Sequence, residues 1–293
     1  FQHQTMASIN SLFNVAGKSV LVTGGGRGIG KMIAEGFVAN GSTVFISSRD
    51  QKALELTAEE LNSSATTGGQ CIPIVGNLNT RQGCEELAAS VAEKSPSGLN
   101  VLVNNSGTSW GEPLDRESGK MNWGWDRVLD LNLKAPFYLT RALIPTMRQA
   151  SLPHDPSRVI MIGSVVGLRH QDFPTHAYDA SKAAIHSLTK KLASDLATPP
   201  PNDEGTNDGS GRITVNAIAP GYFPSKMTQG LAAWGVTQDN TSSSIPMGRM
   251  GTGNDIAGAA IYMASPCASW LSGAVVPVDG GLLTAPIHIG DEH

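Results

Sequence analysis

The sequence has 293 residues and a formal net charge of −4, so it lacks the basic balance typical of proteins that bind nucleic acid. Its hydrophobic content of 40% suffices for a full core, yet no stretch approaches the ~18 consecutive apolar residues of a membrane-spanning helix. The three cysteines have neither disulfide nor metal-ligand spacing, and we therefore expect a cytoplasmic protein without a metal. From the charge and the hydrophobic pattern we expect its partners to be small molecules rather than nucleic acids or membranes.

The first strong signal is a glycine-rich turn between a strand and a helix. We expect residues 1–15 to form an N-terminal extension and residues 16–293 a single domain. Residues 18–23 predict a short buried strand, residues 24–30 (GGGRGIG) follow at once, and an amphipathic helix runs to residue 40. Glycines let the backbone approach a ligand, and the helix N-terminus offers N–H groups to phosphate. A flexible turn is the alternative, but this position favours dinucleotide binding by Gly24, Arg27, Gly28, Ile29 and Gly30.

The second strand indicates which dinucleotide is bound. Residues 43–47 predict a strand that ends at Ser48 and Arg49, about 20 residues after the glycines. An acidic residue there would bind the ribose 2′-hydroxyl, whereas an arginine accommodates a 2′-phosphate. We interpret Asp50 as the cap of the next helix and Arg27 as a second charge for the phosphate. NADP is favoured over NAD, although either arginine alone could be a solvated surface charge.

Strands and helices continue to alternate, with strands at 71–76, 100–103, 158–162, 212–217 and 274–278. This alternation predicts βαβ units, a doubly wound parallel sheet and ligands at the carboxyl ends of the strands. The motif at residues 104–107 (NNSG) suits the wall beside a nucleotide as well as it suits an ordinary polar turn. The further candidates for cofactor binding at strand ends are Asn77, Leu78, Asn104, Gly107, Pro220, Gly221 and Phe223.

Several segments between these elements carry separate expectations. Trp110, Trp123 and Trp125 could cover a substrate, but an interface is the favoured interpretation. A long helical run over residues 122–149 contains Asn132, whose amide needs a partner, so we expect it to hold a water or to kink the helix. Residues 199–211 predict an exposed loop, and residues 222–250 a lid over the substrate.

The most informative motif is Tyr178-x-x-x-Lys182 in a helix predicted over residues 176–198. Residues four apart lie on the same face, so the phenol and the ammonium are neighbours. At an effective dielectric of about 20 the charge could lower the pKa of Tyr178 by up to about three units, close to neutrality. The hydroxyl could then exchange a proton with a carbonyl oxygen or an alcohol. The alternative is an ordinary amphipathic pair with its lysine in water.

Taken together, the glycine turn, residues 104–107, Asn132, Ser164, the Tyr178–Lys182 motif and Pro220-Gly221 resemble the short-chain dehydrogenase/reductase family. The resemblance implies a Rossmann-type, seven-stranded parallel sheet in one domain, NAD(P) as cofactor, and a homotetramer or homodimer. It implies that Tyr178 is the acid/base and that Lys182 lowers its pKa and holds the nicotinamide ribose. Ser164 would bind the substrate carbonyl, and Asn132 would support a water relay to Lys182. Asn77 and Ser106 depart from the aspartate and alanine usual in the family.

Within the family, residues 105–111, 220–227 and 245–249 resemble the 3-oxoacyl-carrier-protein reductases of the rhamnolipid-pathway type. The resemblance implies NADPH-dependent reduction of a 3-oxoacyl or similar ketone. Two alternatives remain open. One is a sugar, polyol or secondary-alcohol dehydrogenase, and the other is a non-catalytic, NADP(H)-sensing scaffold on the same fold.

Overall fold

Seven parallel strands form one sheet in the order β3-β2-β1-β4-β5-β6-β7. The computed structural model describes residues 6–119, 122–199, 210–230 and 238–285. The strand bounds are β1 Ser19–Thr23, β2 Thr43–Ser48, β3 Gln70–Val75, β4 Val101–Asn104, β5 Ser157–Ile162, β6 Ile213–Pro220 and β7 Val275–Val278. The predicted doubly wound α/β sheet is confirmed. Strand β6 runs to Pro220, beyond the predicted residue 217, because its last residues pair with β7.

Helices cover both faces of this sheet. Their bounds are α1 Ile9–Leu12, α2 Gly28–Ala39, α3 Gln51–Ser64, α4 Arg81–Lys94, α5 Trp123–Leu129, α6 Ala135–Ala150, α7 His176–Leu196, α8 Lys226–Gly230, α9 Gln238–Ser244 and α10 Gly253–Ala264. Successive residues of β1 alternate between the two faces, so that Val20 and Val22 pack with α2, α3 and α10 while Leu21 packs with α4, α6 and α7. Two hydrophobic layers therefore hold the sheet between them.

The long helical run predicted over residues 122–149 is broken in the middle. A π-helical turn, Asp130–Lys134, joins α5 to α6 and contains Asn132. A π turn inserts an extra residue into the helical repeat and is often found at functional sites. The helix thus changes type at Asn132, the position where the sequence predicts either a bound water or a kink.

Two predicted segments fall partly outside the described residues. The structure does not describe residues 200–209 of the loop expected over 199–211. It also does not describe residues 231–237 of the lid expected over 222–250. The described part of the lid forms the short helices α8 and α9. None of the helices in the described ranges is long and apolar enough to cross a membrane. The three cysteines are free thiols, of which Cys71 and Cys84 are buried.

Candidate active site

A cavity of about 510 Å³ lies along the carboxyl ends of the strands. The glycine turn after β1 and residues Ser48 and Arg49 at the end of β2 line one end of it. Ser164, Tyr178 and Lys182 line the other. Strand order reverses between β1 and β4, and a parallel sheet opens a crevice for ligands at such a reversal. The volume falls within the usual range of small-molecule sites, which is about 300–1,000 Å³.

The glycine turn is held close to the sheet by contacts that leave no room for side chains. A Cβ atom on Gly30 would lie 2.3 Å from the carbonyl oxygen of Gly24, which has a φ of +66°. The side chain of Asn105 fixes the same turn, because its Nδ2 donates to the carbonyl of Thr23 at 2.8 Å. The N-terminus of α2 consequently faces the cavity with its backbone N–H groups, and this arrangement suits a pyrophosphate.

Two arginines stand at this end of the cavity without an ionic or hydrogen-bonding partner among the described residues. Arg27 precedes α2 and Arg49 follows β2, and both line the cavity. The neighbouring Asp50 caps α3 as predicted, since its Oδ1 accepts from the N–H of Ala53 at 3.1 Å. Its carboxylate is therefore engaged locally, and the arrangement offers two free cations to an anionic group.

Most of the sequence-predicted cofactor residues line the cavity, but three do not. Gly30 supports the glycine turn from behind. Asn77 is exposed, and its neighbours Leu78 and Asn79 line the wall instead. Asn104 is buried beneath the site, where its Nδ2 donates to Thr140 Oγ1 at 3.1 Å. The residues of the prediction that do line the cavity are Gly24, Arg27, Gly28, Ile29, Ser48, Arg49, Leu78, Gly107, Ser164, Tyr178, Lys182, Pro220, Gly221 and Phe223.

The polar groups at the inner end come from two elements. Ser164 follows β5 and begins a 3-10 turn, Val165–Gly167, in which its Oγ accepts from the N–H of Val166 at 3.3 Å. Tyr178 and Lys182 project from the first turns of α7, as their spacing predicts. The Nζ of Lys182 lies 5.5 Å from the centroid of the Tyr178 ring.

The predicted lowering of the Tyr178 pKa is wrong for the protein alone. Burial raises the pKa of Tyr178 to about 12, a hydrogen bond with Ser164 opposes this, and the charge of Asp179 adds to it. Burial also lowers the pKa of Lys182 to about 8. A low-dielectric environment disfavours both charged forms, and Lys182 Nζ lies over the Tyr178 ring. The phenol is accordingly protonated at neutral pH.

Asn132 is fully engaged in hydrogen bonds within the protein. Its Nδ2 donates to the carbonyl of Thr108 at 2.9 Å and to Ser181 Oγ at 3.0 Å, and its Oδ1 accepts from the N–H of Thr108 at 2.8 Å. Ser181 lies between Tyr178 and Lys182 in α7. The amide thus fastens the π turn to the helix that bears Tyr178 and Lys182.

Loops from distant parts of the chain also line the cavity. The hydroxyl of Tyr222 donates to Gln171 Oε1 at 3.1 Å, and both residues line the cavity. The guanidinium of Arg169 donates to the carbonyls of Leu282 and Leu283 at 2.9 and 3.3 Å, which anchors the segment before Gln171. The sequence analysis missed Gln171, Phe173 and Thr175 because no periodicity or motif marks a loop residue as part of a pocket.

The three tryptophans lie away from the cavity wall. The rings of Trp110 and Trp123 meet edge to face with their centroids 4.7 Å apart. Trp110 also contacts Gly124, where a Cβ atom would lie 2.1 Å from the ring. Trp123 and Trp125 are partly exposed, and none of the three lines the cavity. The alternative in which they cover a substrate is not supported.

Comparison with known proteins places the chain among oxidoreductases. The family model described as enoyl-(acyl carrier protein) reductase matches residues 24–283. The rhamnolipids biosynthesis 3-oxoacyl-[acyl-carrier-protein] reductase of Pseudomonas aeruginosa is 40% identical over 92% of this chain and 97% of its own. Galactitol 2-dehydrogenase (L-tagatose-forming) of Cereibacter sphaeroides is 30% identical over 92% of this chain and 97% of its own.

A solved structure agrees with this placement. The Pseudomonas aeruginosa RhlG/NADP active-site complex superimposes with a TM-score of 0.81 and 39% identity, covering 93% of this chain and 99% of that one. Residues 24–283, which the family model matches, include the glycine turn, Ser164, Tyr178 and Lys182. The chain is therefore an oxidoreductase and belongs to the short-chain dehydrogenase/reductase family, as its motifs predict.

Proposed function

We propose that this protein reduces a ketone of the 3-oxoacyl type to a secondary alcohol with NADPH. The observation that carries the proposal is the protonated phenol of Tyr178 beside the hydroxyl of Ser164 at the inner end of the cavity. Two hydroxyl donors at one point suit a single oxygen atom on which negative charge develops. The resemblance to 3-oxoacyl-carrier-protein reductases supports the substrate class.

The cofactor end supports NADP. Gly24 and Gly28 let the backbone approach a pyrophosphate, and Arg27 and Arg49 offer the charges that a 2′-phosphate requires. The superimposable RhlG structure is itself an NADP complex. When bound, the nicotinamide supplies the hydride for the carbonyl carbon. The protein's own residues supply the remaining steps.

Tyr178 and Ser164 act on the carbonyl oxygen. Both hydroxyls donate hydrogen bonds to it, and as it becomes an alkoxide it takes the proton of Tyr178. An alkoxide is a stronger base than a phenolate, so this transfer is favourable even when the pKa of Tyr178 is about 12. The raised pKa thus suits reduction, whereas alcohol oxidation would need the phenolate. We propose that Lys182 binds the nicotinamide ribose and that Asn132 supports proton supply to Lys182.

A polyol dehydrogenase is the second candidate, because galactitol 2-dehydrogenase is among the relatives and the Gln171–Tyr222 pair could bind hydroxyls. The description of the matching family model points instead to an enoyl double bond. Hydride addition to an enoyl thioester places negative charge on the thioester oxygen but delivers the proton finally to carbon, whereas reduction of a ketone places both charge and proton on one oxygen, which suits the Ser164–Tyr178 pair. A non-catalytic sensor would not need this pair.

Turnover measurements separate these candidates. In the first assay, oxidation of NADPH and NADH is measured with 3-oxoacyl thioesters, simple ketones, keto sugars and enoyl thioesters as substrates. In the second assay, reduction of NADP⁺ is measured with polyols as substrates. We expect consumption of NADPH with 3-oxoacyl thioesters and none by Tyr178→Phe. Preferential oxidation of polyols would favour the dehydrogenase, and no turnover with any compound would favour the sensor. We also expect a homotetramer or homodimer, which light scattering coupled to size exclusion would measure.

A further inference from the structure

A buried histidine shares the active-site face of α7 but has no place in the chemistry above. His186 lies one helical turn after Lys182 and two turns after Tyr178, so all three side chains share one face. His186 is only 5% exposed, and neither of its ring nitrogens makes a hydrogen bond of normal geometry, although the backbone of Gly167 lies close enough to the ring to raise its pKa. Burial lowers the pKa of His186 from its ordinary 6.5, and the ring is neutral at pH 7.

The imidazole lies against the backbone that leads to Ser164. A Cβ atom on Gly163 would lie 2.1 Å from Nε2 of His186 and 2.7 Å from its Cδ2. The N–H of Gly163 donates to the carbonyl of Ile218 at 2.7 Å, which fixes this backbone to β6. Gly163 therefore sits between the neighbouring strand on one side and the histidine ring on the other.

The segment from Gly163 to Gly167, here called the Ser164 loop, contacts α7 at both of its ends. A Cβ atom on Gly167 would lie 2.6 Å from the backbone carbon of Lys182. The residue before the loop, Ile162, accepts a hydrogen bond from Lys182 Nζ at 2.7 Å. The ring of His186 supports one end of the loop, and the backbone and Nζ of Lys182 hold the rest.

The chemistry of the ring indicates that its shape is what matters. Buried ring nitrogens that lack well-formed hydrogen bonds cost free energy, so an apolar residue would fill the same space at a lower cost if packing alone mattered. The ring faces a glycine backbone with no side chain, and such a narrow gap admits a flat group more readily than a branched one. Because the interior is close-packed, removal of the ring lets the backbone above it move.

We propose that His186 is a positioning residue whose flat ring supports Gly163 and so holds the Ser164 hydroxyl level with that of Tyr178. The inference rests on the proposed function, in which both hydroxyls meet one carbonyl oxygen. His186 itself touches neither substrate nor cofactor in this assignment, and it acts through the backbone of the Ser164 loop.

Three variants test the proposal by steady-state kinetics with NADPH and the best ketone substrate. His186→Ala removes the ring, and His186→Gln keeps a flat group of similar length. Leu192→Ala makes a cavity farther along α7, where Leu192 is 8% exposed in the hydrophobic layer formed by α4, α6 and α7. We expect His186→Ala to lower kcat roughly tenfold or more with KM for NADPH unchanged, because small misplacements of reacting groups are costly. His186→Gln should recover most of this loss, and Leu192→Ala should lose thermal stability but not kcat.

Full activity in His186→Ala would overturn the proposal. An equal decrease of kcat in Leu192→Ala and His186→Ala would also overturn it. A His186→Gln variant as slow as His186→Ala would also overturn it, because the imidazole would then matter for more than its shape. Crystal structures keep this test separate from the proposed function. Even if the wild type reduces no ketone, a Ser164 loop displaced in His186→Ala supports the inference, and an unchanged loop refutes it.

Discussion

The Nζ of Lys182 donates a hydrogen bond to the carbonyl oxygen of Ile162 at 2.7 Å. This contact draws the ammonium toward the end of β5, while the ring of Tyr178 lies 5.5 Å away. One backbone carbonyl compensates only part of the solvation that an ammonium loses on burial. Burial therefore destabilises the Lys182 ammonium in this site. Such destabilised charges are common where a residue is retained for function rather than for stability.

Replacement of Lys182 by methionine should abolish turnover and raise stability. The pKa of Lys182 falls from 10.5 to about 8, a difference that at about 1.36 kcal/mol per pKa unit corresponds to roughly 3 kcal/mol. Methionine fills the same space without a charge. We expect a higher free energy of unfolding at pH 7, measured by urea denaturation, with no ketone reduction.

The same group gives a pH dependence with a defined sign. Between pH 8 and 10.5 the unfolded chain keeps the proton of Lys182 while the folded protein loses it, so the contribution of Lys182 to the free energy of unfolding rises with pH. Burial raises the pKa of the Cys71 and Cys84 thiols, which act in the opposite direction above about pH 9, so the contribution of Lys182 is measured as the difference between the wild type and Lys182→Met. The slope should be smaller in Lys182→Met. Lys191→Met is the control, because Lys191 lies on the same helix but is exposed and paired with Asp195. Equal slopes in the wild type and Lys182→Met would contradict the assignment.

The phenol of Tyr178 should remain protonated well above neutral pH in the protein without cofactor. Burial raises the pKa of Tyr178 to about 12, so ultraviolet difference spectra of wild type minus Tyr178→Phe should show no phenolate signal below pH 10. Tyr178→Phe should also lose ketone reduction while its affinity for NADPH changes little. The control is Tyr262→Phe, since Tyr262 is 37% exposed and outside the cavity. A phenolate signal near neutrality would instead support activation by Lys182.

The fold was predictable from the sequence because its signals are local. Buried strands such as Ser19–Thr23 read as continuous apolar runs, and Asp50 and the glycine turn mark where helices begin. Residues that follow strands could be assigned to the site because all parallel strands end on one side of the sheet.

The rest of the site could not be predicted, for two physical reasons. The pKa of Tyr178 depends on the balance between burial and a nearby charge, and spacing in a helix reveals only the charge. Which of several neighbouring residues faces the cavity depends on loop geometry, and so Asn79 and Asn105 line the wall where Asn77 and Asn104 were expected. Gln171 and Tyr222 lie 51 positions apart in the chain and come together only through the tertiary fold.

Arg49→Ala should weaken NADPH binding much more than NADH binding. The guanidinium of Arg49 has no protein partner in the described part of the chain, and a charge-assisted hydrogen bond contributes about 1.5–3 kcal/mol, which is roughly ten- to hundredfold in Kd. Isothermal titration with each cofactor measures the ratio. Arg81→Ala is a matched control on α4, where the exposed guanidinium pairs with Glu85. If Arg49→Ala lowers both affinities equally, the 2′-phosphate does not lie beside Arg49.

Asn132→Leu should destabilise the protein and slow catalysis together. The substitution keeps the approximate size but leaves the N–H and carbonyl groups of Thr108 without their partner, and a buried unsatisfied group costs about 1–3 kcal/mol. The loss of the contact with Ser181 also frees α7 from the π turn near Tyr178. We expect the free energy of unfolding to decrease by about 2–4 kcal/mol, because the N–H and the carbonyl of Thr108 both lose their hydrogen-bond partner. We also expect a lower kcat.

Ser181→Ala separates the two effects of Asn132. It removes the hydrogen bond from Asn132 to α7, together with the one that Ser181 Oγ donates to the carbonyl of Tyr178 at 2.7 Å, and leaves both bonds between Asn132 and Thr108 in place. We expect a smaller loss of stability, about 1 kcal/mol, because one partner is removed and the amide keeps its other contacts. If the link to α7 positions Tyr178, kcat in Ser181→Ala should fall nearly as far as in Asn132→Leu. A normal kcat in Ser181→Ala would show that the hydrogen bond between Asn132 and α7 does not position Tyr178.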